Sequence, residues 1–205
     1  MKKCYIFSAG SYYGLKELPR AGDIIIAADA GLIYCLREGL SPDLVVGDFD
    51  SSKRPDNLEN VITLPVEKDD TDTLYAARKG LEMGCAEFHL YGAAGGERPD
   101  HTLANLQVLL FLAENGARGY IYDRSWVYTA IKNSCLEINR TMDLQTVSVF
   151  CPGADAHGVN LRGFKYPLKN GTLTADYPIG VSNHITEEKA AVSVEDGMLL
   201  IMYET

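Results

Sequence analysis

The chain has 205 residues, of which 46% are hydrophobic, enough to bury the core of one large domain or two small ones. It carries 28 acidic and 19 basic residues, a net charge of -9, without any cluster of Lys and Arg. Because nonspecific binding to nucleic acid depends on clustered basic side chains, this composition argues against a nucleic-acid partner.

The cysteines and the N-terminal residues indicate the compartment. The five cysteines form no Cys-x-x-Cys pair and mostly have apolar neighbours, which is typical of reduced thiols in a cytoplasmic protein. The apolar run after Met1-Lys2-Lys3 is too short for a signal peptide or a membrane span. We therefore expect a cytoplasmic protein without membrane association.

The first 125 residues alternate between short apolar runs and segments with helical periodicity. We predict strands at residues 4–7, 23–28, 43–46, 61–64 and 87–91, and helices at residues 30–38, 72–83 and 102–115. This alternation is typical of βαβ units and of a parallel sheet covered on both faces. Asp69 or Asp70 is the candidate N-cap of the second helix, and Asp100 that of the third. The buried face of the third helix is predicted from helical spacing to hold Leu103, Leu106, Leu110 and Ala113.

The pattern changes after about residue 125, where helical periodicity disappears. We predict short strands at residues 126–131, 135–138, 146–150, 158–161, 172–175, 190–194 and 198–203. Glu195-Asp196-Gly197 is a hairpin signal, because Asp-Gly favours the positive φ angles of a tight turn. The predicted fold class is therefore an N-terminal parallel-sheet α/β domain, residues 1–125, followed by a C-terminal antiparallel sandwich or barrel, residues 126–205.

Two acidic turns follow predicted strands of the N-terminal domain. Asp48 and Asp50 are two residues apart, so an extended backbone directs both carboxylates the same way. Asp69 and Asp72 lie in the other turn, where they also fit the alternative of a capped helix start. Because open α/β sheets bind ligands at the carboxyl ends of their strands, we predict that these acids hold Mg²⁺ together with substrate phosphates.

A third turn, residues 92–101, combines small residues with Arg98, Asp100 and His101 at a predicted helix start. Backbone amides approach phosphate closely where side chains are small, and both the helix dipole and Arg98 favour anions. We predict a nucleotide or phosphate site here. His101 either contacts phosphate or satisfies a loop carbonyl. The chain has neither a P-loop nor a Gly-x-Gly-x-x-Gly motif, so any ATP site is of another type.

The sequence resembles the thiamine pyrophosphokinase family at four motifs that span both halves of the chain, residues 42–51, 69–72, 98–105 and 180–183. The resemblance implies an α/β nucleotide-binding domain followed by a β-sandwich. It also implies an enzyme, thiamine diphosphokinase, that transfers the pyrophosphoryl group of ATP to the thiamine hydroxyl and releases AMP. The implied cofactor is Mg²⁺, and the implied assembly is a homodimer with thiamine bound between two protomers.

The resemblance also implies roles for individual residues. The metal ligands would be Asp48, Asp50 and Asp72, with Asp69 nearby. Arg98 and Asp100 would line the nucleotide and phosphate pocket. Asp29, Lys68 and His101 are further candidates for nucleotide contacts because they lie in turns that follow predicted strands. Thiamine would be bound by Ser182 and Asn183.

The sequence departs from the family pattern at two places. Glu97 separates Gly96 from Arg98, which makes the phosphate loop one residue longer than the usual Gly-Gly-Arg. Lys68 stands where eukaryotic relatives tend to carry Gln, and it is either an added phosphate contact or a solvated lysine.

Much of the catalysis is expected to be electrostatic, because phosphoryl transfer needs charge neutralisation and positioning. Asp72 or Asp100 is the candidate if a general base is used. Two rival functions remain at this stage. One is a Mg²⁺-dependent nucleotide phosphohydrolase, which would not need the pocket at residues 180–183. The other is a non-catalytic nucleotide-binding module, which would not need so many acids.

Overall fold

The computed structural model describes residues 1–47, 60–64 and 69–205. They form two compact units, the first made of residues 1–109 and 119–124, the second of residues 110–118 and 125–205. Within these residues no helix is long and apolar enough to cross a membrane. The assignment of residues 1–125 to catalysis and of residues 126–205 to thiamine binding stays a prediction.

The N-terminal part of the chain builds a parallel sheet from short apolar strands. Its elements are β1 (Lys3–Phe7), β2 (Ile24–Ala28), α1 (Gly31–Arg37), β3 (Leu44–Gly47), β4 (Val61–Thr63), α2 (Asp72–Glu82), β5 (Glu87–Tyr91), α3 (Pro99–Glu114) and β6 (Arg118–Tyr122). The strand order is β6-β5-β1-β2-β3-β4, and the five strands from β5 to β4 pair in parallel. Parallel strands end at the same edge, so the loops after β1, β2 and β5 gather there.

The helix starts differ from the sequence prediction. The N-cap of α2 is Thr71, whose Oγ1 accepts a hydrogen bond from the amide of Leu74 at 3.2 Å, so neither Asp69 nor Asp70 is the cap. Helix α3 already begins at Pro99, which places Asp100 inside the first turn. Proline suits a first helical turn because its missing N–H would have no partner there.

The predicted face of α3 is only partly buried, since Ala113 is buried and Leu106 and Leu110 are half-buried. Leu103 is 66% exposed, and the buried positions are those of Asn105, Val108, Leu109, Leu112 and Ala113. These positions follow the same helical period but are displaced around the helix. Because α3 is apolar over most of its length, the leucines alone did not determine which side is buried.

The C-terminal part of the chain forms two antiparallel sheets. Its strands are β7 (Trp126–Lys132), β8 (Cys135–Asn139), β9 (Thr146–Phe150), β10 (Ala156–Arg162), β11 (Leu168–Leu173), β12 (Asn183–His184), β13 (Lys189–Ser193) and β14 (Met198–Glu204). Neighbours within β12-β9-β14-β7 and within β11-β10-β13-β8 pair antiparallel. Residues of both sheets, including Val147, Leu161 and Leu199, share one apolar core. The predicted α/β fold followed by an antiparallel sandwich is therefore confirmed.

The predicted hairpin at Glu195-Asp196-Gly197 is not formed. Strand β13 pairs with β8 and β10, whereas β14 pairs with β7 and β9, so the turn carries the chain from one sheet to the other. Gly197 does adopt a positive φ, 119°. The turn residues thus indicated a change of direction but not the pairing of the strands beside it.

Candidate active site

A cavity of about 670 Å³ lies at the carboxyl ends of the parallel strands in the first unit. It is lined by the loops after β1, β2 and β5 and by the first turns of α2 and α3. Asp29, Asp72, Arg98 and His101, four of the predicted site residues, line this one cavity. The position at a strand-end edge is where open α/β sheets bind their ligands.

Two loops at this edge are joined by backbone hydrogen bonds. The amides of Ser8, Gly10 and Ser11 donate to the carbonyls of Tyr91, Gly92 and Ala94 at 2.8, 2.6 and 3.0 Å. These bonds continue the parallel pairing of β1 with β5 beyond the strands. A Cβ atom at Gly10 would lie 2.6 Å from the Gly92 oxygen, so the close approach requires glycine.

The loop after β5 pairs its carbonyls with protein donors, whereas several of its amides have no acceptor among the described residues. Gly95 and Gly96 have φ angles of 69° and 84°, the left-handed region that glycine adopts at little cost. The amides of residues 93–96 donate to no acceptor among the described residues. Consecutive amides in a turn of this kind form an anion-binding concavity. The loop therefore has the backbone geometry of a phosphate site.

Arg98 is held at the start of α3 by its neighbour Asp100. Its Nε and Nη2 atoms donate to the two carboxylate oxygens at 3.0 and 2.7 Å. This bond lowers the pKa of Asp100 to about 2. Asp100 does not line the cavity itself. It orients Arg98, which does line the cavity. The backbone amide of His101 donates to the Arg98 carbonyl at 3.1 Å, and its exposed side chain lines the cavity.

The acidic residues are only partly within the described chain. Asp48, Asp50 and Lys68, all predicted site residues, lie outside it. Asp29 donates its amide to Val46 at 2.7 Å, and its Cα would lie 3.3 Å from a Cβ at Gly47, so it stands beside the strand end that leads to Asp48. Asp69 is exposed and does not line the cavity.

The carboxylates of Asp29 and Asp72 supply hard oxygen donors to the cavity, the ligand type that Mg²⁺ prefers. The described residues thus fit a divalent cation. A second acid–histidine group, Glu17, Glu87 and His89, lies outside the cavity. The ammonium of Lys3 lies 2.8 Å from Glu17 and 3.0 Å from Glu87, so these carboxylates already have a cation.

Several residues at the cavity edge were given no role by the sequence analysis. The hydroxyls of Ser8 and Thr73 bond at 2.9 Å and join the end of β1 to the first turn of α2. Asn105 Nδ2 donates to the Ala93 carbonyl at 2.8 Å. Buried polar side chains among apolar neighbours were the available signal, since such groups require a partner.

In the second unit, Asn183 is buried and fully engaged by the backbone. Its Oδ1 accepts from the amides of Tyr166 and His184 at 3.0 and 2.9 Å, and its Nδ2 donates to the Tyr166 carbonyl at 2.7 Å. Ser182 has a φ of 58° and donates its amide to Ser148 Oγ at 3.1 Å. Asn183 thus holds Tyr166, whose side chain is 60% exposed and was not predicted.

The sequence matches two family models, the thiamin pyrophosphokinase catalytic domain over residues 15–121 and the thiamin pyrophosphokinase vitamin B1 binding domain over residues 134–199. A thiamine pyrophosphokinase of Bacillus subtilis is 27% identical over 186 residues, which cover 88% of this chain and 86% of the relative.

Solved structures agree with these matches. The crystal structure of thiamine pyrophosphokinase from Bacillus subtilis has a TM-score of 0.88 at 25% identity and covers 100% of this chain and 99% of its own. The enzyme from Geobacillus thermodenitrificans has a TM-score of 0.84 at 25% identity, with 99% and 97% covered. With the matched models, the phosphate-type loop and the acidic cavity, the chain belongs to the thiamin pyrophosphokinase family.

Proposed function

We propose that the cavity of the first unit is where this enzyme binds ATP. Family membership makes the chain a thiamine diphosphokinase, which transfers the pyrophosphoryl group of ATP to the hydroxyl of thiamine and releases AMP. The observation that carries the assignment is the convergence of unpaired loop amides, Arg98 and carboxylates on one cavity.

The phosphates of ATP bind the amides of residues 93–96, the guanidinium of Arg98 and the side chain of His101. Asp100 keeps Arg98 in a fixed orientation, so less side-chain freedom is lost when phosphate binds. Lys68 adds a phosphate contact, and Asp29 contributes to the nucleotide site. Support comes from the positive φ angles of Gly95 and Gly96, since left-handed residues in a turn are a feature of anion-binding loops.

The metal is Mg²⁺, held by Asp48, Asp50 and Asp72 with Asp69 nearby. When bound, the ion offsets the charge of the transferring group. The assignment of Asp72 is supported by its position as the first residue of α2, next to Thr73, whose hydroxyl bonds to Ser8. Because the pKa of Asp100 is lowered by Arg98, Asp100 is a weak proton acceptor, which disfavours it as the general base.

Thiamine binds through the second unit, at Ser182, Asn183 and the exposed side chain of Tyr166, whose backbone bonds to Asn183. The vitamin B1 binding model covers all three residues. The active species is a homodimer in the cytoplasm, with the thiamine pocket completed by the partner protomer.

The test is a product assay with purified protein, ATP, Mg²⁺ and thiamine. We expect AMP and thiamine pyrophosphate in equal amounts, and no AMP without thiamine. Release of phosphate or pyrophosphate from ATP without thiamine would indicate the rival phosphohydrolase, and binding without turnover would indicate the nucleotide-binding module.

One variant pair connects this activity to the cavity. Asp72→Asn keeps side-chain volume but removes a charge, so we expect the rate to fall about 10²-fold or more. Asp70→Asn is the matched control, because Asp70 bonds to Arg78 at 3.1 Å and does not line the cavity. Equal activity of both variants would contradict the assignment of Asp72.

A further inference from the structure

Asn105 is a buried polar residue on α3, only 6% exposed, to which no chemistry has been assigned. Its Nδ2 donates to the carbonyl of Ala93, twelve residues earlier in the chain, at 2.8 Å. Ala93 is itself buried and belongs to the loop after β5, of which Gly92, Ala93, Gly95 and Gly96 line the cavity. The contact therefore joins the body of α3 to the underside of the phosphate-type loop.

The neighbouring carbonyls of this loop are held in the same manner by other groups. Those of Gly92 and Ala94 accept from the amides of Gly10 and Ser11. Asn105 is thus the side chain that completes a row of three anchored carbonyls. Because carbonyl and amide of one peptide unit point in opposite directions, anchoring the carbonyls on the protein side leaves the next amides for the cavity.

We propose that Asn105 is a positioning residue for pyrophosphoryl transfer, which fixes the phosphate-binding conformation of residues 92–96 through the carbonyl of Ala93. This inference rests on the proposed function of the cavity. The glycines of the loop are conformationally permissive, so without an anchor the loop samples other conformations. ATP would then have to order the loop on binding, and affinity would fall.

Asparagine suits this position because it is neutral and reaches the carbonyl with a donor. A leucine has nearly the same size but leaves the buried Ala93 oxygen without a partner, which is unfavourable. An alanine leaves space that a water from the cavity can occupy, and such a water partly restores the bond. The expected order of ATP affinity is wild type, then Asn105→Ala, then Asn105→Leu.

The chain offers a matched control at the end of the same helix. Asn115 Nδ2 donates to the carbonyl of Phe111 at 2.8 Å, the same chemical contact, but Asn115 is exposed and does not line the cavity. Asn115→Leu should leave ATP and pyrophosphate binding unchanged. It reports the effect of losing an asparagine–carbonyl bond that does not support the loop.

The experiment measures binding of ATP and of inorganic pyrophosphate by calorimetry, and the KM values for ATP and thiamine, for wild type and the three variants. We expect Asn105→Leu to weaken ATP and pyrophosphate binding about tenfold or more while the thiamine KM stays within about twofold. A general loss of folding would lower the apparent kcat without raising one KM selectively, so a rise confined to the KM for ATP identifies positioning. Circular dichroism monitors folding, and if Asn105→Leu does not fold, Asn105→Ala decides.

Two results would overturn the inference. The first is that the folded Asn105 variants bind ATP and pyrophosphate with the same affinity as wild type. The other is an equal rise of both KM values. If wild type itself binds neither ATP nor pyrophosphate, the proposed function of the cavity fails first, and the inference fails with it. If wild type binds ATP and the Asn105 variants bind it equally well, the role of Asn105 is overturned, whereas the proposed function of the cavity stands.

Discussion

Arg98 lines the cavity and is oriented there by Asp100. Both side chains are more than half exposed. We predict that Arg98→Lys raises the KM for ATP about tenfold, because a lysine ammonium cannot reproduce the bidentate geometry of the guanidinium. Steady-state kinetics with varied ATP tests this. Arg20→Lys is the control, since Arg20 is 82% exposed and lies outside the cavity. An unchanged KM in Arg98→Lys would mean that the extra residue Glu97 has moved the phosphate contact elsewhere.

The residues of the cavity differ in how far the sequence revealed them. Asp29, Asp72, Arg98 and His101 belong to short motifs, and the structure brings them to one cavity. The sequence showed Asn105 only as one residue of the motif at 98–105 and indicated no role for it. Its role depends on a contact with residue 93, which is set by how α3 packs and not by local sequence.

Asn183 is a proposed thiamine-pocket residue whose side-chain oxygen and nitrogen both bond to backbone groups, so its contribution is to hold the segment around Tyr166. We predict that Asn183→Asp raises the KM for thiamine and leaves that for ATP unchanged. The substitution places an oxygen against the Tyr166 carbonyl where a donor had been, and so releases Tyr166. Asn139→Asp, at an exposed position of β8, is the control. Equal KM values for thiamine in the two variants would contradict the role of Asn183.

At the scale of elements, the positions of most strands were predicted well, whereas the pairing of β13 and β14 was not. The apolar runs fixed the positions of the five parallel strands within a residue or two, because burial of both sheet faces leaves a continuous signal. The two-residue strand β12 carries no such signal, and β6 was missed. Partner choice, as between β13 and β14, depends on which sheet each strand joins, and alternating burial is compatible with either sheet.

Three neighbouring strands, β1, β5 and β6, hold a buried imidazole between aromatic rings. His89 stacks on Tyr5 with centroids 4.9 Å apart, and bonds to Tyr122 at 2.9 Å and to Glu87 at 2.9 Å. Burial lowers the pKa of His89, although Glu87 acts in the opposite direction. Lys3 and Glu17 are the other charged groups nearby.

The free energy of unfolding should therefore fall as the pH drops below about 6.5, the ordinary histidine value. The folded state holds His89 neutral more strongly than the unfolded chain does, so the unfolded chain takes up protons first. Urea unfolding at pH 7.5, 6.5 and 5.5 measures the trend, which His89→Gln should flatten and the exposed control His101→Gln should not. A pH dependence in His89→Gln as steep as in wild type would contradict this origin.

At the scale of the whole molecule, the segment before Ser182 presents apolar side chains to solvent. Tyr177, Ile179 and Val181 are 65%, 62% and 44% exposed, and they alternate along the chain. Gly180 between them packs against the backbone of Val149, which turns its neighbours outward. Exposed apolar groups at such density are typical of a protein interface. They lie next to the proposed thiamine residues, so the same surface would serve dimer formation and substrate binding.

We predict a homodimer that Ile179→Lys dissociates, because burying an unpaired ammonium in an apolar interface is strongly unfavourable. Light scattering should then report a monomer that still binds ATP by calorimetry but has lost transfer to thiamine, since ATP binds within one protomer. Leu144→Lys is the control, as Leu144 is 75% exposed in the same unit but distant in sequence from Ser182. A wild-type monomer with full activity would refute the shared thiamine site. It would leave the ATP cavity and its acids unaffected, because those residues all come from one chain.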